Sequence, residues 1–147
     1  MSAARYAQLL VPMLWLGMVG AISFLEAPIK FRAPGVTLPV GLAIGRLVFR
    51  ALNGVEIVLL LVLSVSCYVV RPEPPALILL GSLAVVLVIQ VVVVRPPLSK
   101  RTDRVLAGEI LPRSTMHRVY IALELAKVGL LIALALTLTV GMLACGP

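Results

Sequence analysis

Residues 51–70, ALNGVEIVLLLVLSVSCYVV, and residues 76–94, ALILLGSLAVVLVIQVVVV, are two apolar runs separated only by the turn RPEPP. Each run is long enough to cross a bilayer, which takes about 20 apolar residues in a helix. Two further apolar runs, at 9–28 and 119–144, flank them. Because backbone groups in lipid must be paired within their own segment, all four runs are predicted to be helices. The sequence therefore predicts an all-α polytopic membrane protein, a four-helix transmembrane bundle in one integral membrane domain, residues 1–147.

Composition supports this class of protein. The chain is 61% hydrophobic, with a mean hydropathy of +1.14, which is too apolar for a soluble domain of 147 residues. The first run is not read as a signal peptide, because it ends in Glu26-Ala27-Pro28-Ile29-Lys30 and carries more positive charge after it than before it. It is predicted to be a retained helix.

Positive charge predicts the orientation. Ten of the thirteen Lys and Arg residues lie between runs one and two or between runs three and four. These are Lys30, Arg32, Arg46, Arg50, Arg95, Lys100, Arg101, Arg104, Arg113 and Arg118. Because cytoplasmic loops retain Lys and Arg, both basic loops are predicted to face the cytoplasm of a bacterial inner membrane, with both termini outside.

The net charge of +7 is explained by this topology. The basic residues flank membrane helices without interleaved aromatic residues, so a nucleic-acid partner is not expected. The predicted partners are the lipid bilayer and anionic lipid headgroups, whose contacts are worth about 1 kcal/mol per basic residue.

Two segments on the basic side leave alternatives about the helix bounds. A helix from Pro39 to Val70 would measure about 46 Å, against a hydrocarbon core of about 30 Å. Either helix two extends into the cytoplasm from about residue 40, or residues 39–50 form a separate interfacial segment. In the second basic loop, between runs three and four, Pro96-Pro97 are predicted to stop helix three. A short surface helix at about 99–111 is predicted to follow.

Polar residues in the four runs are predicted to form one layer in the cytoplasmic third of the bundle. The layer consists of Glu26, Asn53, Glu56, Gln90, Glu124 and Lys127, with Ser23 beside it. An ionised side chain in the bilayer costs at least about 2.5 kcal/mol, so partners are expected. The predicted pairs are Glu56 with Lys127, Glu124 with Lys127, and Glu26 with Lys30, Arg46 or Arg50. The layer is interpreted as a structural clamp between helices or, alternatively, as a proton, ion or substrate pathway.

An internal repeat links the second and fourth helices. A shift of about 71 positions places Phe49 over Tyr120, Asn53 over Glu124 and Glu56 over Lys127. This predicts two hairpins in the same orientation, a parallel repeat, although apolar helices also match by chance. Two small-residue patterns, at 17–21 and 41–45, indicate close helix approach.

The remaining reactive residues predict no catalytic site, metal site or cofactor. The single histidine, His117, lies beside Arg118 at a predicted interface, where a solvated helix-end residue is the simpler interpretation. Cys67 and Cys145 both fall near the outer ends of helices, where a disulfide would persist; two unpaired thiols are the alternative.

One stretch resembles a known family. Trp15-x-Gly17, Phe24-x-x-Ala27-Pro28 and Phe31, followed by Leu47-x-Phe49 and Asn53-x-x-Glu56, are similar to small bacterial four-helix inner-membrane proteins of unknown function. Copper-resistance-type membrane domains share a looser version of this opening. The resemblance implies a four-helix inner-membrane protein. It implies no copper chemistry here, because the chain lacks the His and Met clusters of a copper path.

Together these features predict a non-enzymatic scaffold or accessory subunit. The polar layer and the basic loops would engage a membrane-protein partner or anionic lipid. The alternative is a small transporter or channel, a homo-oligomer that uses Glu56, Glu124 and Lys127.

Overall fold

A computed structural model describes residues 2–144 and contains four helices, each long and apolar enough to cross a membrane. They are α1 (Ala3–Arg32), α2 (Leu38–Val69), α3 (Pro74–Leu106) and α4 (Thr115–Ala144). The described residues contain no strand. The predicted all-α fold with four candidate transmembrane helices is therefore confirmed.

The helices are longer than the apolar runs. Helix α1 begins at Ala3, where Ser2 caps it by accepting a hydrogen bond from the Arg5 backbone N–H at 3.4 Å. Helix α2 is continuous from Leu38, so residues 39–50 extend the helix and do not form a separate segment. The extension of helix two from about residue 40, one of the two alternatives, is therefore the one that the structure shows. The longer ends of α1, α3 and α4 were not predicted, because hydropathy marks only the part of a helix that lipid surrounds.

The prediction that Pro96-Pro97 stop the third helix is wrong, as is the separate helix at 99–111. Helix α3 passes through both prolines and ends at Leu106. The turn before them, Ile89–Val94, is π-helical, and the Arg95 backbone N–H bonds to the Gln90 carbonyl five residues back. This wider turn moves the carbonyl groups that a proline ring would strike in an α-helix, and the prolines then occupy the first positions of the next α-helical stretch.

Helix α1 repeats this arrangement before Pro28. Its residues Gly20–Glu26 are π-helical, and the Ala27 backbone N–H bonds to the Ile22 carbonyl. Helices α1 and α3 therefore each have a π-helical segment directly before a proline-containing turn. This is an additional likeness between the two hairpins.

Helix α1 packs between α2 and α4, and α4 packs against α3. Helices α2 and α3 meet largely through residues 95–106 of α3. The core contains fully buried apolar side chains from every helix: Trp15, Val19, Leu63, Leu83, Leu131 and Leu134. Most other large apolar side chains are exposed on the outer faces, as a bundle surrounded by lipid requires.

The small residues at 41–45 provide a contact inside the chain. A Cβ on Gly41 would overlap the Phe31 ring, and one on Gly45 would lie 2.9 Å from Lys30 Nζ. The end of α1 therefore packs directly on the glycine face of α2. A Cβ on Gly17, in the other small-residue pattern, would meet no atom within 4 Å.

Candidate functional site: a buried charge cluster

Six polar side chains from all four helices meet in the interior of the bundle. We name them the charge cluster: Trp15, Ser23, Glu56, Gln90, Glu124 and Lys127. All except the half-buried Ser23 are buried. The cluster lies near the middle of α2, with Glu56 18 residues after Leu38 and 13 before Val69.

Glu56 and Lys127 form the centre of the charge cluster. Lys127 Nζ forms an ion pair with Glu56 Oε1, and both side chains are 0% exposed. The Trp15 indole N–H donates a hydrogen bond of 2.9 Å to the same carboxylate oxygen. The predicted pairing of Glu56 with Lys127 is confirmed. Because Trp15 belongs to α1, this contact joins three helices.

Glu124 accepts three donors through its two oxygens. Lys127 Nζ lies 2.9 Å from Oε1, and the Gln90 side-chain amide donates to the same oxygen. The Ser23 hydroxyl donates to Oε2 at 2.7 Å. Ser23 and Gln90 lie in the π-helical segments of α1 and α3. Each π-helical segment therefore contains a side chain that donates a hydrogen bond to the Glu124 carboxylate.

Several buried polar atoms near the cluster have no hydrogen-bond partner among the described residues. These are both amide atoms of Asn53, Glu56 Oε2, Gln90 Oε1 and the Tyr120 hydroxyl oxygen. Asn53 precedes Glu56 by three residues and Tyr120 precedes Glu124 by four, so each shares a helix face with a glutamate of the cluster. Buried polar atoms are ordinarily paired, so these atoms are exceptions in the interior of the bundle.

The formal charges of the cluster do not balance. Its ionisable side chains are two glutamates and one lysine. With all three ionised, the interior would carry one excess negative charge. A buried charge of this kind needs a compensating partner or must be neutralised.

Two residues of the predicted polar layer lie apart from the hydrogen bonds of the cluster. Glu26 pairs with Lys30 at 3.4 Å, in a partly exposed i, i+4 contact, and forms no ion pair with Arg46 or Arg50. Asn53 is 2% exposed but bonds to no cluster residue. The structure thus joins Glu56, Gln90, Glu124 and Lys127 of the predicted layer.

The sequence reasoning missed two polar contacts of α1. Trp15 was recognised only as part of a family-like motif, although an indole N–H in a membrane helix needs an acceptor. Gln8 lies before the predicted start of the helix. Its side-chain amide donates to the Ser66 and Val70 carbonyls at 3.0 and 2.6 Å, pairing carbonyl groups at the end of α2.

The repeat is visible in contacts between equivalent positions. Glu56 and Lys127, which are 71 residues apart, form the central ion pair. Phe49 and Tyr120, separated by the same interval, have ring centroids 5.3 Å apart in an edge-to-face arrangement. Equivalent residues that meet across a bundle are expected when two hairpins are related by an axis along the bundle, so these contacts favour the parallel repeat.

A second feature, which we call the basic end, is the end of the bundle where α1 ends, α2 and α4 begin and α3 extends beyond Pro97. Arg46 pairs with Asp103, Arg104 pairs with Glu109 at 2.7 Å, and Arg95 donates to the Arg46 carbonyl at 3.0 Å. Five exposed basic side chains form no ion pair within the described residues: Arg32, Arg50, Lys100, Arg113 and Arg118.

The other predicted reactive residues remain without a site. Cys67 is buried, and Cys145 lies outside the described residues, so their disulfide stays a prediction. Residues 2–144 contain no group of three or more His, Cys, Asp or Glu side chains that would hold a metal ion. His117 is exposed at the start of α4.

Comparisons with family models, with curated proteins and with solved structures find no match to this chain. The resemblance of residues 15–56 to small bacterial inner-membrane proteins therefore stays a prediction.

Proposed function

We propose that this protein is a non-enzymatic scaffold or accessory subunit of a bacterial inner membrane, anchored by anionic lipid at its basic end and engaging a membrane-protein partner. The observation that carries the proposal is the uneven distribution of charge over the bundle. The basic end contains ten Lys and Arg residues against three acidic residues, Glu26, Asp103 and Glu109. The opposite end contains only Arg5, Arg71 and Glu73 among the described residues.

The proposed orientation follows from this distribution. Basic residues next to membrane helices remain in the cytoplasm, so the basic end would face inward and both termini outward. Anionic headgroups of the inner leaflet would then surround the unpaired arginines and lysine. At about 1 kcal/mol per basic residue, five unpaired side chains supply a substantial lipid affinity.

The charge cluster supports the scaffold part of the proposal. It draws one or two polar side chains from each helix into a single hydrogen-bonded group, and such contacts fix helix register in lipid. Every ionisable side chain of the charge cluster bonds to another member of the cluster, and two of its oxygens, Glu56 Oε2 and Gln90 Oε1, have no partner among the described residues. Because the charge cluster is buried inside the bundle, its proposed role is to hold the helices in register, and the proposed contact with lipid is made by the basic end.

Lipid retention tests the role of the basic end. The protein is reconstituted with phosphatidylglycerol and phosphatidylcholine at equal amounts, and the lipids retained are counted by native mass spectrometry. The double variant Arg113→Gln/Arg118→Gln should retain fewer phosphatidylglycerol molecules than the wild type. The matched control Arg5→Gln/Arg71→Gln removes the same charge from the other end and should retain the wild-type number. Equal losses in both variants would contradict the proposal.

Co-purification tests the partner. Extraction from native membranes in a mild detergent, followed by mass determination, should give a stoichiometric hetero-complex. A monomer or homo-oligomer would count against the accessory role, and the lipid-anchored scaffold would then remain as the proposed role.

A small oligomeric transporter or channel is the second candidate. The observation favouring it is that Glu56, Glu124 and Lys127 meet in the interior of the bundle, where an ion or proton path would need charged groups. Flux into liposomes should then be abolished by Glu56→Gln and preserved by Glu26→Gln. Exchange of the two charges in Glu56→Lys/Lys127→Glu would retain a clamp and impair a directional path.

A further inference from the structure

The charge cluster contains more acid than base. Glu56 and Glu124 both contact Lys127, and the cluster holds no other cationic side chain among the described residues. All three side chains are at most 2% exposed. Removing a lone carboxylate from water costs several kcal/mol even after relaxation, and a carboxyl group in this position ordinarily takes up a proton.

The hydrogen bonds distinguish the two carboxyl groups. Both oxygens of Glu124 accept, and its three donors are Ser23, Gln90 and Lys127. Donors on both oxygens stabilise a carboxylate. Glu56 accepts from Trp15 and Lys127 through Oε1 alone, while Oε2 is buried and meets no donor. An oxygen with no donor is the position where a hydroxyl fits.

We infer that Glu56 is a proton-binding site. An exchangeable proton lies on Oε2, Oε1 accepts from Trp15 and Lys127 as a carbonyl oxygen, and Lys127 keeps its ion pair with Glu124. Two buried amide oxygens, Asn53 Oδ1 and Gln90 Oε1, also lack a donor, and Asn53 lies on the same face of α2, three residues before Glu56. Loss of the proton breaks the O–H bond, leaves the electron pair on Oε2 and passes the proton to solvent base. The cluster then has one net negative charge.

The other titratable and charged side chains around Glu56 are consistent with a single exchangeable proton in the cluster. Helix α4 presents Tyr120, Glu124 and Lys127, and helices α1, α2 and α3 present the uncharged Trp15, Ser23, Asn53 and Gln90. Two other groups on the side of the basic end have partners outside the cluster: Glu26 pairs with Lys30, and Arg95 donates to the Arg46 carbonyl. The inference is independent of lipid binding at the basic end, and it would supply the titrating group for the transport alternative.

Infrared spectroscopy of the wild-type protein in nanodiscs tests the inference directly. At pH 7, exposed Asp and Glu side chains are carboxylates, because their ordinary pKa is about 4. A C=O stretching band of a protonated carboxylic acid should therefore be present and come from the cluster, and it should disappear as the pH is raised. Lys127→Met should about double the band, because two carboxyl groups must then be neutral. Glu26→Gln, the control, should leave it unchanged.

The band alone does not identify Glu56, because removal of either glutamate also removes the excess charge. The single tryptophan provides the assignment, since its indole N–H bonds to Glu56 and to no other carboxyl group. In a ¹⁵N-labelled protein the indole N–H resonance of Trp15 should shift with the same pH midpoint as the infrared band.

Three results would overturn the inference. Absence of the carboxylic acid band from the wild type at pH 7 would show that both glutamates are ionised. Disappearance of the band with a stationary Trp15 resonance would place the proton on Glu124. Absence of the band together with a sodium-dependent rise in the unfolding temperature, lost in Glu56→Gln, would show a bound cation instead. The first two measurements use only the wild-type protein, so a variant that fails to fold does not affect them.

Discussion

Replacement of Lys127 by methionine removes the one lysine of the charge cluster and puts in its place an uncharged side chain of similar volume, one heavy atom shorter. Two buried carboxyl groups then face each other without a counter-charge. Breaking a buried ion pair from one side costs about 3–5 kcal/mol. At 1.4 kcal/mol per tenfold change, a loss of about 4 kcal/mol lowers the folding equilibrium constant about a thousandfold.

Glu56→Gln provides the comparison for this variant. If Glu56 is already neutral, the substitution exchanges one uncharged side chain for another, and Lys127 keeps Glu124 as its counter-ion. The expected loss is about 1 kcal/mol, the net value of one altered hydrogen bond. The triple variant Glu56→Leu/Glu124→Leu/Lys127→Met should recover much of the loss, because apolar replacement of a whole buried ionic group is often neutral or stabilising.

The assay is equilibrium unfolding in mixed micelles with increasing dodecyl sulfate. Trp15 is the only tryptophan and is 0% exposed, so its emission reports the opening of the cluster. A loss below about 1 kcal/mol in Lys127→Met would refute the argument that an uncompensated carboxyl pair destabilises the bundle. Equal losses in Lys127→Met and Glu56→Gln would refute the neutrality of Glu56.

Three further predictions concern packing, helix ends and orientation. Gly41→Ala should lower the free energy of unfolding by about 1–3 kcal/mol, because the new methyl group would overlap the Phe31 ring. The control Gly17→Ala adds a methyl group in open space and should unfold at the same dodecyl sulfate fraction as the wild type or at a higher one. Equal effects of the two variants in this assay would contradict the packing argument. Gln8→Leu should cost about 1–3 kcal/mol by leaving the Val70 carbonyl unpaired, and a stability unchanged from the wild type would show that this contact is dispensable. An alkaline phosphatase reporter should be active at the C-terminus and inactive in the loop between α3 and α4, and the reverse pattern would invert the proposed orientation.

The fold was predictable because lipid removes most alternatives. A backbone without water must pair its own polar groups, so apolar length alone identifies the helices. The pairing of Glu56 with Lys127 was also predictable, since the repeat placed them at equivalent positions and a charge in lipid needs a partner.

The detailed shape of the site was not predictable from residue types. A proline predicts the end of an α-helix, but whether the preceding turn widens depends on what its side chains reach in neighbouring helices. Here Ser23 and Gln90 both reach Glu124, a residue that lies 101 and 34 positions away in the chain. The same limitation applies to Trp15, because its acceptor lies 41 residues away on α2.

The π-helical turns have a consequence for how α1 and α3 tolerate changes in length. A π-helical turn holds one residue more than an α-helical turn, so deletion of a single residue there would restore an ordinary α-helix while the parts before and after it keep roughly their relative orientation. Such a deletion would mainly remove the reach of Ser23 or Gln90 to Glu124. A deletion elsewhere in the same helix would instead rotate the two parts by about 100° relative to each other. Each of these helices therefore has two parts that pack separately. The part before the π-helical segment packs in the apolar core, and the part after it packs against its own neighbours, as Phe31 packs against Gly41.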